Sequence, residues 1–217
     1  MSGIFKDIIE YDAIENNPCH NIKKLSVINE LRQVLTSEER KKVNDFLREN
    51  YRNFWLFTVI FFHSGGRMKE LLSLKIKDID LENQRYKTII RKGGLNREVW
   101  KVIKTIALPY WEEVIGKTAD AEAYIFHKGL APQVSDKPIN RDQITTRWRV
   151  HVKDKLGITA DFYSLKHLNL DEVTEILSME DAAKMASHTT TKMIEKNYAI
   201  GEKQRQLERL KHLQNEF

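Results

Sequence analysis

The 217-residue chain carries 36 Lys and Arg against 31 Asp and Glu, a formal net charge of +5, with 41% hydrophobic and 31% charged residues. That balance excludes a disordered chain and gives a soluble, globular one long enough for one sizeable core, while the basic excess mildly favours a polyanionic partner. The single Cys19 excludes an internal disulfide and points to a reducing, cytoplasmic setting.

Residues 1–25 read as the end of a helix, an Asn-Asn-Pro stop and an extended strip. The opening "MSGIFKDIIEYDAIE" is acidic and lacks the basic flank of a secretory signal. Thr36 followed by Glu39 forms a capping-box pattern that opens a helix through "SEERKKVNDFLREN". "NFWLFTVIFFHS" is apolar on all sides, which predicts a central buried helix; its run from 54 to 62 is far too short to span a bilayer. Ser64-Gly65-Gly66 breaks that helix, and "RMKELLSL" starts the next, with Met68, Leu71 and Leu72 on one face.

The period then changes. "RYKTIIRK" and "REVWKVI" are β-rich runs around "GGLN", a hairpin with a loop of four residues or slightly more. From 85 to 104 this ribbon carries seven cations, Arg85, Lys87, Arg91, Lys92, Arg97, Lys101 and Lys104, against the one acid Glu98. Lysines on a solvated edge discourage strand aggregation, and a cationic ribbon can equally lie along a phosphate backbone; the hairpin alone leaves both readings open. "PYWEEVIG" predicts a short helix and "AYIFHK" a short strand. In "NRDQITTRWRVHVKDKLG" the apolar residues Ile144, Trp148, Val152 and Leu156 recur at i+4, a helix. From Lys166 onward three or four short helices follow, and the tail carries Leu207, Leu210, Leu213 and Phe217 along one stripe. The fold class is α+β, mainly α-helical with one small antiparallel sheet.

Three polar constellations stand outside the hairpin: Arg67 with Glu70, three positions on; Tyr163, Lys166 and His167; and His188 with Tyr198. An Arg/Glu pair at this spacing is most often an exposed surface pair. The seven histidines are scattered and one cysteine makes no thiolate cluster, so no metal site is expected; nor is there a phosphate-binding glycine loop or an acyl-transfer serine elbow. What remains is chemistry built from Arg, Lys, His and Tyr. Cations fixed around a phosphodiester stabilise the negative charge of its in-line transition state, a tyrosine hydroxyl can attack if helped to lose its proton, and a lysine can protonate the leaving oxygen.

From about residue 25 to about residue 200 the chain resembles the catalytic domain of the tyrosine recombinases, the phage-integrase family. "HSGGRMKELLSLKIKDIDL" looks like the family's Gly-x-Arg-x-x-Glu-Leu-x-x-Leu motif, with Arg67, Glu70, Leu71 and Leu74 in place. "RKGGLNREV" is similar to its lysine-bearing hairpin, and "SHTTTKMIEKNYA" to the segment ending in its nucleophile, ten positions from His188 to Tyr198. The resemblance implies a site-specific recombinase that cuts and rejoins double-stranded DNA through a 3′-phosphotyrosyl link, with no cofactor. It gives Arg67 the scissile phosphate, Lys92 the leaving 5′-oxygen, His188 a non-bridging oxygen and Tyr198 the attack; Glu70 orients Arg67, His167 supports, and Arg85, Lys87, Arg91, Arg97 and Lys101 bind DNA. It also divides the chain into 1–25, linker or remnant of an N-terminal DNA-clamping domain; 26–200, the catalytic domain; and 201–217, a helical tail that could dock on a neighbouring protomer.

One segment departs from the pattern. Where the family has His-x-x-Arg-His, this chain has Tyr163-Ser-Leu-Lys166-His167. Arginine presents a planar fork to two phosphate oxygens and lysine a single mobile charge, while tyrosine is a poor base near neutral pH. The expectation is a slow but active enzyme; the alternative is a DNA-binding relative whose catalysis has decayed and which acts as an accessory module.

Overall fold

A computed structural model describes residues 2–18, 33–92, 95–187, 190–192, 194, 205 and 211, with the side chains of residues 2, 3, 6, 91, 92 and 95 outside that set. The chain divides into two compact units, Met1–Glu30 and Leu31–Phe217. The first holds α1 (Ser2–Glu10), the helix expected at the start. The boundary expected near residue 25 lies outside the described residues.

In the second unit, α2 (Ser37–Asn50) begins at the anticipated capping box: the Glu39 N–H donates to Thr36 Oγ1 and the Thr36 N–H to Glu39 Oε2. This satisfies two backbone donors that a helix start otherwise leaves unpaired. α3 (Arg52–Ser64) is the central helix, buried from Phe54 through Thr58 without a polar face. It ends at Gly65, whose φ of +57° is the left-handed turn that stops a helix. α4 (Met68–Leu72) follows at once. The sheet is antiparallel in the order β1 (Ile79–Asp80), β2 (Arg85–Lys92), β3 (Leu95–Val102). Pairing continues to Lys92 opposite Leu95, so Leu95 and Asn96 of the expected "GGLN" loop belong to β3.

α5 (Leu108–Ile115) packs on α3. "AYIFHK" does not extend the sheet: Tyr124 makes single bridges to Lys75 and Gln133. α6 (Asp142–Trp148), a π turn (Arg149–Lys153) and α7 (Asp154–Leu156) form one helical stretch, followed by α8 (Ser164–Ile176) and α9 (Met179–Met185). Phe162, immediately before α8, anchors that helix: its ring lies 5.9 Å from Phe57, 4.7 Å from Phe61 and 5.2 Å from Trp148. Such a wedge contributes about 1.5–3 kcal/mol by burial alone and fixes where the next five side chains emerge.

Candidate active site

The turn that ends α3 delivers Arg67 to the N-terminus of α4 in an extended conformation. Glu70, one turn on, reaches back to it twice. Its Oε2 accepts from the Arg67 backbone N–H at 3.0 Å, and its Oε1 from the guanidinium at 2.8 Å. The carboxylate is 5% exposed and the guanidinium side chain 39%, so this is no surface pair: a buried acid aims a half-exposed cation outward. Lys101 of β3 also meets Glu70 Oε2, at 3.0 Å. Burial pushes the Glu70 carboxyl up, but Lys101 and the Arg67 hydrogen bonds outweigh it, and it stays below its ordinary value.

Lys166, in the first turn of α8, is 1% exposed. Its ammonium lies 5.7 Å from the centre of the Tyr163 ring. Burial lowers its pKa, Lys101 and Arg67 lower it further, Glu70 draws it back, and the result is about 7. His167 is buried beside them, its ring edge-on to Tyr163 at 5.9 Å. Arg67 and Tyr163 open onto a cleft of about 730 Å³ that runs to α6 and the π turn. Its lining brings Lys69, Arg141, Arg149 and Lys153 to the same surface as Arg67, five cations against the two carboxylates Asp142 and Asp161. Lys153 pairs with Asp161 at 2.6 Å, and Arg141 lies 3.7 Å from Asp142.

The structure thus brings together Arg67, Glu70, Tyr163, Lys166 and His167. The hairpin cations do not form one ribbon. Alternation along the strands buries Tyr86, Thr88 and Lys101 on one face and exposes Ile89 and Trp100 on the other. Arg85, on the outer face, pairs with Asp80 and stacks on Trp100; Lys87 lies 3.9 Å from Glu98; Arg97 is exposed near the loop. Lys101, expected among the DNA contacts, is turned inward by the pleat, onto Glu70. Lys92 sits at the same strand parity as Tyr86 and Thr88, but its side chain, like that of Arg91, lies outside the described residues. His188 and Tyr198 also lie outside them. The sequence reading did not single out the cleft cations Arg141, Arg149 and Lys153, although their spacing in "NRDQITTRWRVHVK" sets a basic edge beside the apolar i+4 stripe.

A model of the phage integrase family matches residues 33–205. The chain belongs to the phage integrase family. The ICEBs1 integrase of Bacillus subtilis (strain 168) is 24% identical over 181 residues, covering 71% of this chain and 46% of its own length; the chain thus spans about half of that relative. Among solved structures, the Tn1549 transposon integrase in complex with transposon right end DNA superposes with a TM-score of 0.69 at 18% identity, over 96% of this chain and 76% of that one. XerA recombinase gives 0.65 at 15%, over 98% and 75%. These likenesses establish the fold: a phage-integrase catalytic domain, mainly helical, with a small antiparallel sheet. Among the described residues no helix is long and apolar enough to cross a membrane.

Proposed function

We propose that this chain is the catalytic part of a site-specific DNA recombinase that cleaves and rejoins strands of double-stranded DNA through a 3′-phosphotyrosyl intermediate on Tyr198. The observation that carries the reading is that Arg67, aimed by buried Glu70, and Tyr163 line one cationic cleft, with Lys166 buried behind them and within electrostatic reach of Arg67. Arg67 and Lys166 hold the non-bridging oxygens of the scissile phosphate, where transition-state charge builds up. The Tyr198 hydroxyl releases its proton to solvent and its oxygen attacks phosphorus, the bond from phosphorus to the 5′-oxygen breaks and that oxygen takes a proton from Lys92, and His188 supports a non-bridging oxygen. One phosphodiester bond is exchanged for another, so rejoining needs neither ATP nor a metal. Arg141, Arg149 and Lys153 bind the DNA backbone along the cleft, joined by Arg85, Lys87, Arg91 and Arg97 from the hairpin.

Self-association on DNA through the tail is part of the same proposal, and its start has a contact within the chain: Arg205 pairs with Asp171 at 3.0 Å and Glu175 at 3.6 Å. The accessory-module reading has one specific observation in its favour: Lys166, which stands where the family pattern has arginine, is 1% exposed and offers a single charge in place of a planar fork.

Nicked duplexes with randomised flanks, which lose the short strand on cleavage and so trap the covalent state, separate the two. The recombinase reading expects an SDS-resistant protein–DNA adduct with the natural chain and none with Tyr198→Phe. DNA retention without adduct across pH 6–9 would overturn it in favour of the accessory module, and an adduct formed by Tyr198→Phe would overturn Tyr198 as the nucleophile.

A further inference from the structure

Lys101 occupies an inward position of β3, between the buried residues of the sheet and the Arg67 turn, and its side chain and that of Glu70 are each 5% exposed. Stability alone gives no reason for a lysine there. Desolvating two charges costs several kcal/mol per ion, and apolar replacements of buried pairs are often neutral or stabilising. Glu70, moreover, already has the Arg67 guanidinium and backbone N–H as partners.

The extra partner does something those two do not. Lys101 Nζ also donates to the Met185 carbonyl, at 3.3 Å. Met185 is the last residue of α9, three positions before His188 in the chain. Its side chain lies over Gly65, so closely that a Cβ there would fall 2.9 Å from Met185 Cγ, and its sulfur is reached by Asn169 of α8 at 3.8 Å. One ammonium therefore links the acid that aims Arg67 to the end of the helix that leads toward His188 and Tyr198.

We propose that Lys101 is a positioning residue of the strand-transfer site, clamping the Glu70 carboxylate that orients Arg67 and fixing the C-terminus of α9 to that carboxylate. The inference rests on the recombinase reading and deepens it. Lys101 touches no substrate; it acts through Glu70, through Met185 and through its charge on Lys166. The charged and titratable groups around Lys166 include Lys101 from β3, Arg67 and Glu70 from the α4 turn, and Tyr163 and His167 from its own segment. Lys101 is the largest single charge acting to lower the Lys166 pKa, second only to burial.

The test compares the full chain with Lys101→Met, which keeps the stem and removes the charge, and Lys101→Arg, which keeps the charge. On the nicked duplexes, Lys101→Met is expected to form adduct about tenfold or more slowly while DNA affinity stays within about twofold, and Lys101→Arg to recover most of the rate. Lysine-selective ¹³C NMR titration of the free protein, with Lys166 assigned through Lys166→Arg, supplies a readout that a packing role would not move. The Lys166 titration should rise from about 7 by roughly a unit or more in Lys101→Met, since a like charge leaves and Glu70 is freed to draw the proton back. Adduct formation by Lys101→Met at the natural rate, loss of rate only in proportion to DNA binding, or an unmoved Lys166 titration would each overturn the proposal. If the natural chain forms no adduct, the recombinase reading falls separately, and the titration still decides whether Lys101 governs the charge of Lys166.

Discussion

At Lys166 the chain carries a lysine with almost no solvent contact, flanked by two other cations and one carboxylate. With a pKa near 7, its charge is present below neutrality and is lost as pH rises through that value. Transition-state stabilisation by Lys166 should therefore fade on the alkaline side, where the nucleophile's own deprotonation would otherwise help. Lys166→Arg keeps its charge at every working pH: adduct formation, measured as an initial rate from pH 6 to 9, should fall away above neutrality in the natural chain and continue to higher pH in the variant. An identical profile in both would show that Lys166 does not carry the pH dependence. The same depression acts on stability with the opposite sign. Between about pH 7 and the ordinary lysine value of 10.5 the unfolded chain holds a proton that the folded one has lost, so this group makes the fold more stable as pH rises. The substitution of arginine by lysine was plain in the sequence, because it breaks a motif. Its depth was not, since that depends on Lys101, a residue 65 positions away that the strand pattern marked only as one cation among seven.

The helical stretch from Asp142 to Leu156 shows what a spacing pattern can and cannot convey. Ile144, Trp148 and Val152 are all buried, at strict intervals of four. On an ideal α-helix each such step overshoots a full turn by about 40°, so the stripe would drift off the core. The π turn at Arg149–Lys153 takes up part of that overshoot and keeps Val152 inward while Arg149 and Lys153 line the cleft. A run of fours with no threes was the sign of the wider turn, though the apolar stripe reads equally well as plain helix. The α3–α4 junction is a second element whose geometry exceeds its sequence signal. The glycine pair announced a break, but the crowding of Gly65 by Met185 comes from a residue 120 positions on. Gly65→Ala must place a Cβ at positive φ and against Met185. It should lower the unfolding free energy by about 1–3 kcal/mol, read from urea denaturation, and displace Arg67 as well; a loss below about 0.5 kcal/mol would mean that the turn relaxes freely.

Across the molecule, the mainly helical class with one small antiparallel sheet was readable because long apolar runs at helical spacing give way once to strand alternation. The cleft was not, since its cations come from the α4 turn and from the α6 stretch, far apart in sequence. If Arg141 and Arg149 each neutralise one DNA phosphate, replacing either with Ala should make the dependence of log affinity on log salt shallower by about 0.9 for duplex DNA. Lys184→Ala, at an exposed position of α9 that does not line the cleft, serves as the control and should leave the slope unchanged. Equal slopes in all three variants would remove the cleft from the binding surface. The central cluster, with Arg67, Lys101 and Lys166 around the Glu70 carboxylate, has a consequence beyond catalysis. Three basic side chains around Glu70 favour an anion that reaches Arg67, and anything that binds only the folded state stabilises it: sulfate, heparin or DNA of any sequence should raise the protein's melting temperature. The site thus favours a phosphate through charges the fold has already gathered, before any base is read.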